Sequence, residues 1–153
     1  MSNLTQKIDL AELDVQIRER KPVGMSEENA LRVEEIVFTA YYNHIEAGHI
    51  TIDRFLKPNE KESQDTYFTD LDSKPPKPRP RLFYMGTKDE YKGNSIAGIL
   101  IKFANEFYKS RYETPLHSGT INAPEAIRVW EKLVSCGDAI EYLYENKRRW
   151  RLL

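Results

Sequence analysis

The sequence predicts a mixed α/β domain, because strand and helix patterns alternate along its C-terminal half. Residues 81–86 are a short apolar run of strand type, followed by a polar loop and then a helical pattern. Residues 115–145 show a second series of strand, helix and strand. Near the N-terminus, residues 13–19 alternate apolar and polar side chains, as a half-buried strand does. A sheet covered by helices accounts for all three observations.

Size and composition favour one soluble domain. The chain has 153 residues, of which 40% are apolar and 31% charged, and its formal net charge is −1. A domain of this length buries about 68–70% of the surface of its unfolded chain, which is enough for a sizeable core. No stretch approaches the roughly 20 apolar residues that cross a bilayer, and residues 1–13 do not resemble a signal peptide. We therefore expect a cytoplasmic protein that does not enter membranes.

The segment after the first strand predicts a helix. Pro22 and Gly24 end the strand, and Ser26 is a typical N-cap, with Glu27 and Glu28 in the first turn. Apolar residues then recur near helical spacing, at Ala30, Val33, Val37, Ala40, Tyr41 and Ile45. Gly48 fits a helix C-cap, so the predicted helix ends just before it.

The middle of the chain gives weaker patterns. Residues 49–55 read either as a short extension or as a strand, residues 58–63 as an exposed loop and residues 66–71 as a strand. Four prolines in residues 74–80 predict a stiff, extended connector, since proline fixes φ and lacks an amide donor. Such a segment can also bind a proline-recognition domain, although connectors are commoner.

The C-terminal half is more regular. After the strand at residues 81–86 and the loop at residues 87–95, apolar residues recur on one face of a helix, at positions 96, 99, 100, 103, 104, 107 and 108. Residues 115–122 predict a strand and residues 124–135 a helix with Pro124 in its first turn. Residues 137–138 break that helix before a final strand at residues 139–145. Trp150 and Leu152 are expected to close the edge of the sheet.

Residues 89–101 resemble the acetyl-CoA loop of the GNAT family of N-acetyltransferases. The family pattern is Arg or Gln, two residues, Gly, one residue, then Gly or Ala, and here Lys92, Ser95 and Ala97 occupy those places. Lys92 and Ser95 depart from the pattern. A helix that starts after such a loop directs its unpaired N–H groups at a bound anion. Residues 93–97 also match a Gly-x-Ser-x-Gly hydrolase elbow except at Ala97.

Residues 117–133 resemble the late strand, Asn-containing turn and helix of the same family. Asn122 precedes Ala126 by four residues, where three is commoner, and Trp130 stands where the family usually has tyrosine. That tyrosine often protonates the departing CoA thiolate, and an indole N–H is too weak an acid to do so. The plain alternative is an ordinary helix start at Asn122 and Pro124.

The resemblance implies a GNAT-like central mixed twisted sheet with helices on both faces, and it implies acetyl-CoA as cofactor. The backbone of the loop strand would face the pantetheine arm, the amides of the loop would face the pyrophosphate, and Asn122 would lie near the thioester. The expected strand residues are Phe83, Tyr84, Met85 and Gly86, with Met85 or Gly86 polarising the carbonyl. The expected loop residues are Tyr91, Lys92, Gly93, Asn94, Ser95, Ile96, Ala97 and Gly98.

Four residues are candidates for the chemistry beyond the cofactor. His117 and Ser118, just before Asn122, are the first choices for substrate-side contact, and Tyr142 and Tyr144 are candidate acids that replace the tyrosine missing at Trp130. Each also fits a strand residue packed in the sheet. The acceptor is expected to be an amine of unidentified class, and a homo-oligomer is compatible with the sequence. The alternative function is a catalytically inactive GNAT-like binding or assembly protein.

Metal and nucleic-acid functions have less support. His44 and His49 have no third ligand nearby in the sequence, so we expect no metal site. Cys136 is the single cysteine, which excludes an internal disulfide, and packing is its expected role. Residues 147–151 place four cations around Trp150, a pattern that could grip phosphate. A charged sheet edge is the commoner reason for such a run.

Overall fold

The principal sheet is antiparallel and places residues 14–20, 33–42, 45–55 and 81–87 side by side in that order. The computed structural model describes residues 9–21, 26–30, 33–56, 69–70, 77–118, 123–144 and 146–153. The described strands are β1 (Asp14–Arg20), β2 (Val33–Tyr42), β3 (Ile45–Phe55), β4 (Thr69–Asp70), β5 (Lys77–Pro78), β6 (Arg81–Thr87), β7 (Ala139–Tyr144) and β8 (Lys147–Leu152). The described helices are α1 (Glu27–Ala30), α2 (Ile96–Tyr112) and α3 (Pro124–Ser135). Residues 10–12 and 89–91 form 3₁₀ turns.

Most elements of the C-terminal half follow the predicted pattern. The predicted helix at residues 124–135 is α3, with Pro124 at its start, and the predicted strand at residues 81–86 is β6. Helix α2 begins at the predicted place but continues to Tyr112. Strand β1 and strand β7 also lie where the sequence predicts them. The mixed α/β class is therefore confirmed.

The long helix predicted after Ser26 is wrong. Only Glu27–Ala30 is helical, and the chain then forms the antiparallel hairpin of β2 and β3. Residues 33–42 are rich in β-branched and aromatic side chains, which favour strands. Asn43 and His44 both have positive φ, of 50° and 66°, which is the conformation of a two-residue hairpin turn. The strand alternative for residues 49–55 is correct, since they belong to β3.

Gly48 is also not a helix C-cap. It lies within β3, where a Cβ atom would come 2.7 Å from the backbone oxygen of Gly86 and 3.2 Å from the side chain of Ile96. Glycine is therefore required here because strand β6 and the start of α2 approach the backbone closely.

The predicted proline-rich connector is only partly within the described residues. Lys77–Pro78 pairs with Thr69–Asp70 as a short two-stranded ladder, while residues 71–76 lie outside the described part. The predicted loop at residues 58–63 also lies outside it, as does most of the predicted strand at residues 66–71.

The apolar core lies between the sheet, α2 and α3. Phe38, Ile50 and Ile52 of the sheet are completely buried, as are Leu100 and Tyr108 of α2. Burial of each large aliphatic side chain stabilises the fold by roughly 1.5–3 kcal/mol before entropy is counted. No helix in the described ranges is long and apolar enough to cross a membrane.

Strand β8 is not the edge strand that the sequence suggests. It pairs with β7 on one side, and on the other Leu152 N–H donates to Leu116 O at 3.0 Å. Arg149 and Trp150 of the basic run are buried. Arg148 instead forms ion pairs with Glu141 at 2.6 Å and Glu131 at 3.4 Å. Part of the basic run therefore interacts with the chain itself, and nucleic-acid binding stays a prediction.

We predict that Gly48→Ala destabilises the protein by about 1–3 kcal/mol, because the added methyl group meets backbone atoms that cannot rotate away. Urea unfolding monitored by tryptophan fluorescence measures this change. The matched control is Gly98→Ala in α2, where a Cβ atom meets nothing within 4 Å. Alanine there should stabilise by about 0.5–1 kcal/mol through its higher helix propensity. Equal effects of the two substitutions would contradict the close approach at Gly48.

Candidate functional site

Among the described residues, β6 meets the C-terminal part of the sheet at its start. At the start of this strand, Leu82 N–H donates to His117 O at 2.8 Å and His117 N–H donates to Pro80 O at 3.0 Å. These bonds make a parallel bridge between Arg81 and His117, and His117 is bridged in turn to Arg151 of β8. Among the described residues, no strand pairs with this side of β6 beyond Leu82. Within the described ranges, residues 83–87 therefore have no strand partner on this side, which forms the sheet opening.

A β-bulge marks the point where the opening begins. Thr51 of β3 pairs with Tyr84 and Ile52 pairs with Leu82, so Phe83 is an extra residue in β6. A bulge turns the backbone and strengthens the local twist, and bulges are frequent next to active sites. Phe83 and Tyr84 are both more than half exposed, while Met85 and Gly86 are half-buried.

A groove of about 530 Å³ lies where α2 begins, between α2 and α3. Its residues come from the end of β6, the loop that follows, the first turns of α2 and one side of α3. Those that bear on its chemistry are Gly93, Ser95, Gly98, Lys102, Arg128 and Lys132.

The first turn of α2 leaves amide donors for an anion. Ser95 precedes the helix with φ 60° and ψ 29°, and its side chain makes no capping bond. Within the described residues, the N–H groups of Ile96, Ala97 and Gly98 have no hydrogen-bond acceptor. A helix leaves its first N–H groups unpaired, and its dipole adds positive potential there.

Two glycines keep the groove open. Cβ atoms built on Gly93 and Gly98 meet nothing within 4 Å. Gly93 has φ +87°, a conformation that side chains rarely adopt. Ser95 takes the left-handed conformation without being glycine, which costs roughly 1–2 kcal/mol.

The groove carries an excess of positive charge. Lys132 Nζ donates to Ser95 Oγ at 2.7 Å and so spans from α3 to the start of α2. Arg128 lies one turn earlier on α3 and lines the groove too. Lys102 is offset by Asp138, whose carboxylate lies 3.6 Å away. Arg128 and Lys132 therefore supply the net charge that would attract a phosphate.

Arg128 and Lys132 were not among the residues selected from the sequence. Their spacing of four residues on a predicted helix was the available signal, because it places both side chains on one face. The sequence could not indicate that this face of α3 lines the groove beside α2.

Several of the predicted loop residues interact within the loop itself. Tyr91 is buried against Tyr42, and its N–H donates to Lys88 O at 2.9 Å; Lys92 N–H donates to Asp89 O at 3.3 Å. These two amides are used within the 3₁₀ turn. Lys92 forms an ion pair with Asp89 at 3.1 Å, and this hydrogen-bonded contact raises the pKa of Lys92. Asn94 donates from its side chain to Tyr91 O. Of the predicted loop amides, those of Tyr91 and Lys92 are thus not available to a ligand.

His117 and Ser118 are almost completely buried. Burial, with Arg79, Arg151 and Arg149 nearby, lowers the pKa of His117 to about 2, so its ring is neutral at physiological pH. Nδ1 lies 3.3 Å from the hydroxyl of Tyr142, and no residue in the described part of the chain bonds Nε2. Ser118 Oγ accepts from Trp150 N–H at 3.0 Å. Both residues make backbone hydrogen bonds where β6 and β8 meet this segment, so they stabilise the sheet there. Substrate contact by either residue stays a prediction.

The remaining candidates are less well defined. The hydroxyl of Tyr142 also accepts from Arg79 at 3.4 Å. The side chain of Tyr144 and the whole of Asn122 lie outside the described part. Trp130 is completely buried and stacks on Trp150 with ring centroids 6.5 Å apart, which gives it a place in the core.

Cys136 is not packed in the core as expected. It is the C-terminal cap of α3, is exposed, and lines the groove. Ser95 contacts Lys132 and no histidine in the described ranges, so the hydrolase alternative lacks a base at its serine.

Comparison with solved structures defines the fold. A mutant form of the toxin AtaT, bound to the C-terminus of the antitoxin AtaR and to acetyl-CoA, matches with 12% identity over 92% of each chain and a TM-score of 0.52. An IAA acetyltransferase from Bacillus cereus ATCC 14579 matches with 13% identity over 91% of this chain and 97% of that chain, with a TM-score of 0.47. Naa50 from Arabidopsis thaliana, in complex with a bisubstrate analogue, matches with 15% identity over 90% and 96% and a TM-score of 0.48.

The match to the AtaT structure establishes a GNAT-like fold, which confirms the fold that the loop and late-strand motifs imply. No family model matches the chain, and neither does the sequence of a curated protein.

We predict that His117 makes the folded protein acid-sensitive. Its pKa is lowered in the folded state and ordinary, about 6.5, in the unfolded chain. The unfolded state therefore binds more protons below pH 6.5, and stability falls as the pH falls. Between pH 7 and pH 5 this single group should remove about 2 kcal/mol.

Urea unfolding at the two pH values measures the loss. His117→Asn should lower stability at pH 7 but show a pH dependence smaller by that amount, whereas His44→Asn, in the exposed hairpin turn, should keep the full dependence. An unchanged pH dependence in the His117 variant would show that folding does not lower the pKa of His117.

Proposed function

We propose that the protein is an acetyl-CoA-dependent N-acyltransferase that transfers an acetyl group to an amine. The observation that carries the proposal is the cationic groove at the uncapped start of α2, which lies directly at the end of the strand bordering the sheet opening. One ligand can bind both features, with its anionic part in the groove and its extended part along the strand. The GNAT-like fold supports the same assignment.

The described residues fit the diphosphate of the cofactor. Three amide donors at residues 96–98 and the ammonium of Lys132 lie at one end of the groove, and Gly93 and Gly98 leave space in front of them. Arg128 adds a second cation on α3. Amide donors, helix dipole and cations together are the usual means of binding phosphate.

Strand β6 would hold the rest of the cofactor. The backbone of Phe83, Tyr84, Met85 and Gly86 has peptide groups on the open side that can bond an extended chain in the manner of an added strand. When bound, acetyl-CoA supplies an activated acetyl thioester. The protein would orient that group, exclude water and accept the proton that the amine loses.

A second candidate is a binding protein without catalysis. Trp130 is buried where the resemblance places a catalytic tyrosine, and Ser95 adds a side chain where the family has glycine. Acetyl-CoA that binds but is never consumed with any amine tested would favour this function.

We predict that Gly98→Glu lowers acetyl-CoA affinity at least tenfold. The new side chain enters the groove with a negative charge, and the position lies in a helix where glutamate is well tolerated. Isothermal titration calorimetry measures the affinity. Ser110→Glu adds the same charge on the exposed surface near the other end of α2 and should leave the affinity within twofold. Equal affinities of the two variants would contradict this position for the diphosphate.

We also predict that acetyl-CoA protects Cys136 from alkylation. This thiol is the single cysteine of the chain and lines the groove, so occupancy should slow its reaction with iodoacetamide severalfold. Intact-mass spectrometry follows the reaction with and without acetyl-CoA, which has no free thiol itself. Inorganic phosphate at the same concentration is the control and should protect far less. Full reactivity at saturating acetyl-CoA would contradict binding in this groove.

A further inference from the structure

A second cavity, of about 210 Å³, adjoins the same end of β6 as the groove. Its residues are Glu46, Gly48, His49, Tyr84, Gly86, Thr87 and Lys88. Thr87 also lines the groove between α2 and α3, so the two spaces meet at this strand. A larger cavity of about 460 Å³ shares Glu46 and His49 with the cavity of about 210 Å³.

The cavity lies on the sheet face that points away from α2. His49 pairs with Gly86 and Thr51 pairs with Tyr84, so these residues share a face, while Ile50 between them is buried in the core with α2. Strand β6 therefore has the cationic groove at the start of α2 and the smaller cavity on the opposite face.

A bulge brings a carboxylate to the histidine. Residues three apart in a regular strand point to opposite faces, but Ala40 pairs with Gly48 and Tyr41 with Glu46, which makes Ala47 an extra residue. Glu46 and His49 consequently share a face, with Glu46 Oε2 3.6 Å from Nδ1 of His49. A carboxylate on the Nδ1 side favours the tautomer whose Nε2 accepts a proton.

Gly86 lets Tyr84 form the floor of this cavity. A Cβ atom on Gly86 would lie 3.0 Å from the hydroxyl of Tyr84, so the tyrosine ring extends over the glycine. The ring stacks on His49 with centroids 5.2 Å apart and planes at 26°. Aromatic faces and a carboxylate attract an ammonium group, and in the described residues no hydrogen bond occupies Nε2 of His49.

Resting on the proposed transferase function, we propose that this cavity is the acceptor pocket and takes a primary amine on a slim alkyl arm. Glu46 and the Tyr84 ring attract the ammonium, and Nε2 of His49 accepts one of its protons. The ammonium thereby becomes a neutral, nucleophilic amine, and the imidazolium passes the proton to solvent. His49 is a catalytic residue in this account, and Glu46 is a positioning residue.

The charged and titratable groups around His49 come from several strands. Lys88 Nζ lies 3.5 Å from Glu46 Oε2 and is more than half exposed, so it competes weakly for the carboxylate. His49 lines both the cavity of about 210 Å³ and that of about 460 Å³. The other charged and titratable groups that line them are Arg18, Arg20, Tyr41, Glu46, Tyr84 and Lys88.

The first test measures binding without acetyl-CoA. The chain has three histidines, so the ring C–H signals in an NMR spectrum can be assigned with His44→Asn and His49→Asn. Titration with n-butylamine at constant pH should move the His49 signal saturably and leave His44 and His117 unmoved. Glu46→Gln should weaken the apparent affinity at least threefold, and n-butanol should cause no shift. Movement of His44 to the same extent, or none at His49, would overturn the pocket.

The second test measures acetyl transfer to n-butylamine. His49→Asn should lower kcat/KM about 100-fold at pH 7, in line with loss of a general base, and the deficit should shrink as the pH approaches the pKa of the amine. His44→Asn, the same substitution outside the cavity, should stay within twofold. Binding of acetyl-CoA should be unchanged in both variants.

The outcomes separate the two proposals. Wild-type protein that fails to bind acetyl-CoA would refute the transferase function, whatever the NMR titration gives. Wild-type protein that binds acetyl-CoA and acetylates n-butylamine, with a rate that His49→Asn leaves unchanged at every pH, would refute the role of His49 alone.

Discussion

The hydrogen-bonded joint at residues 116–118 holds the N-terminal and C-terminal parts of the sheet together. On one side this segment bonds to Pro80 and Leu82 at the start of β6, and on the other to Trp150 and Leu152 of β8. Asn105 of α2 is buried beneath it, accepts Leu116 N–H at 2.9 Å and donates to Leu153 O at 3.1 Å. Because the two parts of the sheet are joined at this short segment, β6 leaves the joint with one side unpaired among the described residues. The peptide groups of such an unpaired strand edge can bond an extended ligand in the manner of an added strand.

The same joint explains why His117 is neutral. Its backbone makes the parallel bridge, so its side chain is enclosed among three arginines, where an imidazolium would be poorly solvated and repelled. The residue that the motif selects for chemistry thus stabilises the sheet joint. The half-buried imidazole with a nearby carboxylate is that of His49, in β3, for which the sequence left both a strand and a short extension open.

Much of the C-terminal half could be predicted because its patterns are local. The strand of residues 81–86 is a short apolar run, α2 has a clear helical period, and the helix of residues 124–135 starts with a proline. The hairpin of β2 and β3 was missed because β2 is buried on both faces, so its apolar residues also match a helical period. The Glu46–His49 pair could not be predicted, because it depends on the β-bulge at Ala47. The bulge places both side chains on one face of the sheet, whereas a regular strand would place them on opposite faces. Whether Arg128 and Lys132 lie in the groove likewise depends on how α3 packs beside α2.

Binding of the acetyl-CoA diphosphate by the amides at the start of α2 can be tested by backbone amide NMR. Addition of acetyl-CoA to the ¹⁵N-labelled protein should produce the largest shifts at residues 93–98, with further shifts along residues 83–86 as the extended arm bonds to β6. Shifts confined to other parts of the chain, or none at millimolar acetyl-CoA, would contradict the account.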